Sequence, residues 1–476
     1  MRAQARSAPA GRAGDISRRQ MWLVLVAVLV ADALDLVDAT ITNVAAPTIM
    51  RDLGGGESLV QWLGAGYALA LGSLMVVGGR IGDRFGQRQT FLIGMSGFIV
   101  ASLVAGCAVN APMLVVARVL QGAFGALLIP QGMAIMAATF PKDMLRRAFA
   151  VFAPALVVFG VAGPLLGGLL LEANVFGFGW RAVFLVNVVI GGAGLLFAWQ
   201  VLPHVPANHD VRIDLMGCVL LMLAVFGVLG GLLSGADLGW TPPMLAGVGI
   251  GTICFAIFVL QQRTTAHPLL DPRLLGNRGF TAGLVAGLLI FASFSGMMYV
   301  LSLYFQLGLH FSPIQAALNL LPLTLGIAAG SMLCTALLGR IGRYVLGVGL
   351  GISSAGVTTM LVVITWYGDD TRWWQLGAAT LLIGLGAGPC FNAIFNVALG
   401  DLAPSEAGAA SGSLNAIQQV ANGVGAVLVT SVFFAALARG PIDAMRVTLG
   451  VVLMVTLVSF GVIPLLPKQS RSSQNE

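Results

Sequence analysis

Apolar stretches of about 20 residues recur along this chain, and a helix needs about that length to cross a bilayer. They run from Met21 to Leu466 with only short polar gaps between them. Hydrophobic residues make up 58% of the chain and charged residues only 9%, whereas soluble domains carry roughly a quarter charged residues. The sequence therefore predicts an all-α integral membrane protein.

Charged residues divide the apolar stretches into about fourteen predicted transmembrane helices. These begin near residues 21, 59, 89, 112, 147, 180, 214, 242, 279, 313, 344, 373, 405 and 446. The first apolar run is longer than the core of a signal peptide and is interpreted as a retained helix. Most of the 25 Lys and Arg residues fall on one side if the N-terminus is cytoplasmic. We therefore expect a multi-pass protein of the cell (inner or plasma) membrane with both termini in the cytoplasm.

Composition excludes several other classes of function. The net charge of +6 comes from residues in short loops, which indicates membrane topology and not nucleic-acid binding. The five cysteines lie at irregular spacing inside apolar runs, so neither disulfides nor a metal site are expected. The four histidines lie outside the span centres, which argues against a membrane enzyme. We expect no catalytic residues, metal, cofactor or nucleic-acid partner, and a single chain as the functional unit.

An internal repeat is indicated by two loops. Gly79-Arg80-Ile81-Gly82-Asp83-Arg84 follows the second span, and Gly339-Arg340-Ile341-Gly342-Arg343 follows the tenth. With spans seven and eight set aside as an insertion, the two loops occupy equivalent places in two six-helix halves, as in many secondary transporters. Chance recurrence of small basic loops is the alternative. The predicted parts are a basic N-terminus (1–20), a first bundle (21–203), an inserted pair (204–266), a second bundle (267–467) and a tail (468–476).

Three acidic residues lie within the first predicted span. Asp32, Asp35 and Asp38 are three residues apart, so a helix places them on one arc. Charged side chains inside a bilayer are costly and usually face a bundle interior or a watery cavity. The group suits a carrier of protons, although Asp32 or Asp35 individually can instead be a permanently protonated or paired structural residue.

Arg118 is the only basic residue well inside a predicted span. Its depth in the membrane indicates its partner. It lies about 9 Å from the outer end of its helix at 1.5 Å per residue. Asp38 lies roughly 12 to 15 Å from the outer end of an oppositely directed helix on the same measure. The similar depths predict an ion pair between Asp38 and Arg118, with Asp35 as the next candidate.

Four motifs lie at Asp38–Pro47 (DATITNVAAP), Gly79–Arg88 (GRIGDRFGQR), Arg118–Gly122 (RVLQG) and Gly160–Gly168 (GVAGPLLGG). They resemble the motifs of one family, the 14-helix drug:proton antiporters of the major facilitator superfamily, and the resemblance covers nearly the whole chain. The resemblance implies the major facilitator fold, with two six-helix bundles and an inserted helix pair. It also implies that Asp38 is the principal proton-coupling acid and that Arg118 takes part in proton transfer.

The resemblance assigns roles to two further sets of residues. A cytoplasmic loop would act as a conformational latch between the two halves, through Gly79, Arg80, Asp83, Arg84, Gly86 and Arg88. An antiporter motif, in which small residues allow close helix packing, comprises Gly160, Gly163, Pro164, Gly167 and Gly168. Some relatives that export divalent organic cations carry a further acid in the tenth helix, but Pro313–Leu338 contains none. The charge class of the substrate therefore stays open.

Polar and adaptable side chains mark a tentative substrate pathway. Two polar stripes occur at helical spacing, Asn392 with Asn396, and Asn415, Gln418, Gln419 and Asn422. Met and aromatic residues tolerate varied ligands, and the ninth span offers Phe294, Met298 and Tyr299. The tentative set also includes Asn43 and Gln121. Hydrogen bonds that hold helices together, or ordinary packing, are the alternatives.

The sequence thus predicts a proton-coupled antiporter that exports lipophilic small molecules, such as drugs and antibiotics, by alternating access. The proton gradient would drive it without a cofactor, and its partners would be the substrate, protons and the lipid bilayer. A dedicated exporter of one endogenous metabolite or lipid is the alternative within the same class. A non-transporting membrane sensor is the alternative outside it, although such a protein need not keep the Asp38 and Arg118 pair.

Overall fold

The computed structural model describes residues 17–205, 207–209, 211–212, 214–238, 241–265, 268, 274, 276–402 and 406–467. The long helices of this part of the chain are α1 (Arg18–Leu53), α2 (Gly56–Phe85), α3 (Gln87–Gly106), α4 (Ala111–Thr139), α5 (Lys142–Ala173), α6 (Arg181–Val201), α7 (Leu215–Leu238), α8 (Pro242–Thr264), α9 (Arg278–Leu303), α10 (Pro313–Ile341), α11 (Tyr344–Tyr367), α12 (Gly377–Ala398), α13 (Ala407–Leu437) and α14 (Pro441–Val462). The predicted N-terminal segment before residue 17 and the tail from 468 lie outside the described residues.

Every predicted span overlaps one of these helices, and the all-helical prediction is confirmed. Within the described residues, twelve helices are long and apolar enough to cross a membrane. The two helices outside this set are α1, which carries the three aspartates, and α7, whose described apolar stretch is Leu215–Gly231. The protein is therefore a multi-pass membrane protein, while the count of fourteen spans stays a prediction.

Local sequence signals fix where several helices begin and end. Ser17 and Asn110 accept hydrogen bonds from backbone N–H groups in the first turns of α1 and α4, which satisfies donors that have no partner within the helix. Ser312 and Gln315 form a capping box at the start of α10. Gly54 ends α1 with φ 67°, a left-handed conformation that glycine adopts without steric cost.

The helices pack in two sets with the same pairing pattern. In the first set, α1 contacts α5 and α6, α2 contacts α4, and α3 contacts α4 and α6. In the second set, α9 contacts α13 and α14, α10 contacts α12, and α11 contacts α12 and α14. Adding eight to each helix number in the first set's contacts gives the contacts of the second set. This pattern is the one expected of the repeat that the two loops suggest.

The inserted hairpin of α7 and α8 lies beside the two sets. Its helices approach closely, since a Cβ at Gly251 would lie 2.5 Å from the backbone nitrogen of Val228. Helix α7 packs against α2 and, less extensively, α13. The rings of Trp62 and Phe226 stack there with centroids 6.2 Å apart. The hairpin is therefore attached to the first set and also contacts the second.

The two sets are joined at one end of the bundle. We call the end near Arg18 proximal and the end near Leu53 distal. One continuous apolar cluster near the distal end contains side chains from both sets, including Ile49, Leu63 and Phe433. The clusters nearer the proximal end contain helices of one set each, apart from those that include the hairpin. The structure is therefore closed at its distal end.

Candidate functional site

The centre of the first helix set holds an ion pair between Asp38 of α1 and Arg118 of α4. Both side chains are buried, with 0% and 1% of their surface exposed. The Asp38 carboxylate also accepts hydrogen bonds from the Gln121 amide at 3.1 Å and the Asn187 amide at 2.6 Å. The pairing that helix depth predicts is present, and α1, α4 and α6 together enclose it.

Arg118 is held by more than its charge partner. Its Nε donates to the backbone carbonyl of Leu63 at 2.9 Å, and its Nη1 donates to the Gln121 side-chain oxygen at 2.9 Å. The guanidinium carbon lies 4.5 Å from the centroid of the Tyr67 ring and 6.0 Å from that of Phe184, within range of cation–π attraction. A buried charge needs such a complete set of partners to be tolerated.

Close approach of α2 and α4 allows this geometry. A Cβ at Gly122 would overlap the backbone carbonyl of Tyr67, and a Cβ at Gly78 would overlap that of Ala126. Small residues permit such backbone contact in membrane helices. The glycine that follows Gln121 in the fourth-helix motif therefore brings Tyr67 and Leu63 within reach of Arg118.

The other two acids of α1 have different surroundings. Asp35 is partly buried and accepts a hydrogen bond from the Tyr67 hydroxyl. One carboxyl oxygen of Asp32 is buried without a hydrogen-bond partner in the described part of the chain. The acids of α1 therefore have different partners. Asp38 binds Arg118, and Asp35 binds Tyr67, whose ring covers that arginine.

Two residues of this site were not assigned to it by the sequence. Asn187 is fully buried on α6 and donates to Asp38, and Tyr67 connects Asp35 with Arg118. Each is a polar side chain inside an otherwise apolar span, which is the available sequence signal. That signal does not reveal which other helix the side chain faces.

The predicted antiporter motif lies where α5 meets α1 and α10. A Cβ at Gly163 would overlap the Thr40 hydroxyl, and one at Gly167 would lie 2.9 Å from Ile41 Cγ1. A Cβ at Gly168 would lie 2.8 Å from the Cα of Ile314 on α10. Gly160 lies on the same helix, and Pro164 lies inside it. The motif therefore packs α5 onto the helix that carries Asp38 and onto the second set.

The predicted latch loop lies at the proximal end and is helical in the structure apart from Gly86, which separates α2 from α3. Arg80 donates to the Pro268 carbonyl at 2.6 Å, and Arg88 donates to the Trp199 carbonyl at 2.5 Å. Asp83 is exposed, and its backbone carbonyl accepts from the Asn208 N–H at 2.7 Å. Of the other members, Gly79 and Arg84 lie near the end of α2, and Gly86 follows that helix. Their role as a latch stays a prediction.

We expect Asp83→Asn to impair transport more than substrate binding. The carboxylate is exposed in this distal-closed structure, so its loss should act on another conformation. Loss of a contact worth about 1.4 kcal/mol lowers the population of one state about tenfold. Equilibrium binding and transport rate are measured together, with exposed Gln89→Ala as the control. Loss of binding in a folded Asp83→Asn protein would contradict the latch.

The tentative pathway residues have several environments. Gln121 is buried in the ion-pair site, and Met298 and Tyr299 are buried in the distal apolar cluster. Phe294 packs edge-on against Phe391 with centroids 4.8 Å apart. The residues that remain partly or fully exposed are Asn43, Asn392, Asn396, Asn415, Gln418, Gln419 and Asn422.

Hydrogen bonds engage part of the polar stripes. The Asn422 amide donates to Gln419 at 2.9 Å, and the Asn396 amide donates to the Asn392 carbonyl at 2.9 Å. Each of these bonds joins two residues of the same helix, α13 for the first and α12 for the second, so neither bond joins neighbouring helices. Pathway lining stays a prediction for both stripes. Among the described residues, no group of three or more His, Cys, Asp or Glu side chains is placed to hold a metal ion.

Comparison with known proteins identifies the family. The model of the Major Facilitator Superfamily matches residues 28–215 and 212–426. The chain is 38% identical to a probable actinorhodin transporter of Streptomyces coelicolor over 89% of this chain and 74% of that protein. It is 32% identical to the tetracenomycin C resistance and export protein of Streptomyces glaucescens, over 86% and 75% of the two chains.

A solved structure confirms the fold independently. A POT family transporter in complex with a thioalcohol conjugated peptide superimposes with a TM-score of 0.68, covering 94% of this chain and 96% of that one, at 13% sequence identity. The family match and these relatives identify a transporter and not an enzyme, and its apolar helices make it a multi-pass membrane protein. The chain belongs to the Major Facilitator Superfamily.

Proposed function

We propose that this transporter is a proton-coupled antiporter that exports lipophilic small molecules, such as drugs and antibiotics, by alternating access. The observation that carries the proposal is the ion pair of Asp38 and Arg118, enclosed inside the helix bundle. Ionisable residues at such a depth are costly and commonly belong to a proton or substrate pathway. The carboxylate can accept a proton, and its neutral form no longer attracts the arginine as a charge.

Proton binding and the shape of the bundle would be linked through this pair. A proton that arrives from outside neutralises Asp38, weakens its contact with Arg118 and permits the inward-facing state. Release of the proton inside restores the charge and favours substrate binding. We assign the distal-closed structure to the inward-facing state, with the distal end outside the cell. The principal acid is then Asp38, Arg118 is its regulator, and Asp35 and Asp32 are accessory proton sites.

The proposal includes the domain boundaries and the orientation that the sequence predicts. The two bundles comprise 21–203 and 267–467, and the inserted pair comprises 204–266. The segments 1–20 and 468–476 lie in the cytoplasm, and one chain suffices for transport. The membrane is the cell (inner or plasma) membrane, where a proton gradient is available.

Both termini are expected to be cytoplasmic, and a cysteine placed near Asp237 is expected to react from outside. The reasons are the positive charge bias of one set of loops and the even number of spans. Membrane-impermeant labelling of intact cells tests this, with terminal tags as internal controls. Labelling of the two termini from opposite sides would contradict the model of fourteen spans.

A dedicated exporter of one compound is the second candidate. It is favoured by the two relatives described above, because each is named for a single compound, actinorhodin or tetracenomycin C. Both candidates use the same proton site and differ in the breadth of the substrate set.

One transport assay tests the proposal and separates the candidates. The purified protein is placed in liposomes, a pH gradient is imposed, and uptake of cationic, neutral and anionic lipophilic compounds is measured. We expect accumulation that stops when an uncoupler removes the gradient. Accumulation of several chemical classes indicates a multidrug exporter, and accumulation of one indicates a dedicated exporter. Accumulation that is unchanged by the uncoupler would contradict proton coupling.

A further inference from the structure

One face of α9, together with the π-helical turn Tyr304–Gly308 that continues it, contacts the first helix set in the distal half of the bundle. The Ser302 hydroxyl donates to the Asn43 carbonyl of α1 at 2.9 Å, and the Gln306 amide donates to the Val44 carbonyl at 3.0 Å. One turn earlier on the same face lies Tyr299, which is 5% exposed. These residues belong to the contact that closes the distal end.

Tyr299 lies directly on the backbone of α2. A Cβ at Gly64 would overlap the hydroxyl and the adjoining ring carbons of Tyr299. The ring therefore occupies space that only glycine leaves free at this position. Tyr299 also lies close enough to Arg118 and Asp38 to interact with both charges. A residue of the second helix set thus lies against the site formed by the first.

Leu63, the residue before Gly64 on α2, contacts the ion-pair site directly. The Leu63 carbonyl accepts the hydrogen bond from Arg118 Nε at 2.9 Å. Gly64, the next residue, is the one against which Tyr299 lies. Two consecutive residues therefore connect Arg118 to α9. The Ser302 contact, by contrast, ends on a carbonyl of α1 that has no described bond to Arg118.

We propose that Tyr299 is a positioning residue that transmits the state of the Asp38–Arg118 pair to the second helix set through Leu63 and Gly64. This inference rests on the proposed proton coupling. When Asp38 is neutral it no longer attracts Arg118 as a charge, so Arg118 bonds more strongly to the Leu63 carbonyl and holds the adjoining Gly64 more firmly against Tyr299. The contact then favours distal closure, as a population shift between two existing states.

Distance measurement between spin labels tests the transmission. Labels are placed at the exposed distal residues Arg51 and Arg372, in a full-length variant whose native cysteines are replaced. Asp38→Asn serves as the neutral form of the acid. We expect it to raise the ratio of distal-closed to distal-open molecules about fivefold or more, the usual scale of coupling between sites. In the Tyr299→Ala background the same change should alter the ratio less than about twofold.

Two variants distinguish transmission from simple loss of a contact. Tyr299→Phe keeps the ring on Gly64 and is expected to retain the Asp38→Asn shift. Ser302→Ala removes a different contact of the same face, so it changes the starting ratio but keeps the shift. A full shift in Tyr299→Ala overturns the inference and leaves the proposed antiport standing. No shift in the otherwise unchanged protein overturns both, since Asp38 would then not control the bundle.

A steric test locates the contact itself. Gly64→Ala should push the Tyr299 ring away and lower the distal-closed population. The double variant Gly64→Ala/Tyr299→Ala removes the ring that the new methyl group displaces, so its distal-closed population should return to that of Tyr299→Ala alone. Additive effects of the two changes would overturn the placement of Tyr299 on Gly64.

Discussion

Asp38→Asn is expected to fold normally and to lose proton-driven export. The amide keeps an oxygen that can accept from Arg118, but it cannot exchange a proton. Each proton moved down 100 mV supplies about 2.3 kcal/mol, and each 1.4 kcal/mol is tenfold. Exchange of one proton for a neutral substrate therefore sustains roughly a 40-fold concentration ratio. The variant should lower that ratio to about one, measured as gradient-driven uptake into liposomes.

Controls for this result come from the same helix. Asp35→Asn and Asp32→Asn should be milder or selective for particular substrates, because neither side chain binds Arg118. Protein levels are matched, and binding of neutral substrates is measured to confirm that each variant is folded. Full uptake by Asp38→Asn would transfer the coupling role to Asp35 or Asp32.

Gly163→Ala is expected to disrupt the packing of α5 on α1, whereas Gly160→Ala should be tolerated. The new Cβ at position 163 would overlap the Thr40 hydroxyl and lie 3.3 Å from the Val37 carbonyl. At position 160 it would lie 3.7 Å from Leu36 Cδ2, an ordinary contact. Overpacking of this kind costs about 1–3 kcal/mol. Gly163→Ala should therefore unfold at a lower temperature in detergent and transport more slowly than Gly160→Ala.

A second substitution identifies the atom responsible. The Thr40 hydroxyl is held in place by hydrogen bonds to the Leu36 and Val37 carbonyls, at 2.8 and 3.2 Å. Thr40→Ala removes it and should restore most of the stability and transport lost in Gly163→Ala. Equal unfolding temperatures for Gly160→Ala and Gly163→Ala would show that the close contact of α1 and α5 lies elsewhere.

The sequence predicts the helices and one ion pair because both depend on position along the chain. Apolar length determines which segments become membrane helices. Depth along two such helices is enough to match Asp38 with Arg118. Neither argument requires knowledge of how the helices rotate about their axes or which neighbours they have.

The rest of the site depends on that rotation and on backbone contacts between helices. Tyr67 reaches Asp35 and Arg118 because Gly122 lets α2 and α4 touch. Asn187 reaches Asp38 because α6 packs beside α1. A pattern of single residues carries no information on such pairings. The latch loop depends in addition on conformation, since the structure is closed at the distal end and Asp83 is exposed in it.

Substrate-evoked proton release tests the central claim most directly. The purified protein in weakly buffered detergent solution is mixed with a transported compound, and a pH indicator records the protons that appear. The account predicts release from the unchanged protein, little release from Asp38→Asn, and release close to normal from Asp32→Asn. Substrate binding without proton release, or release of the same size from Asp38→Asn, would contradict it.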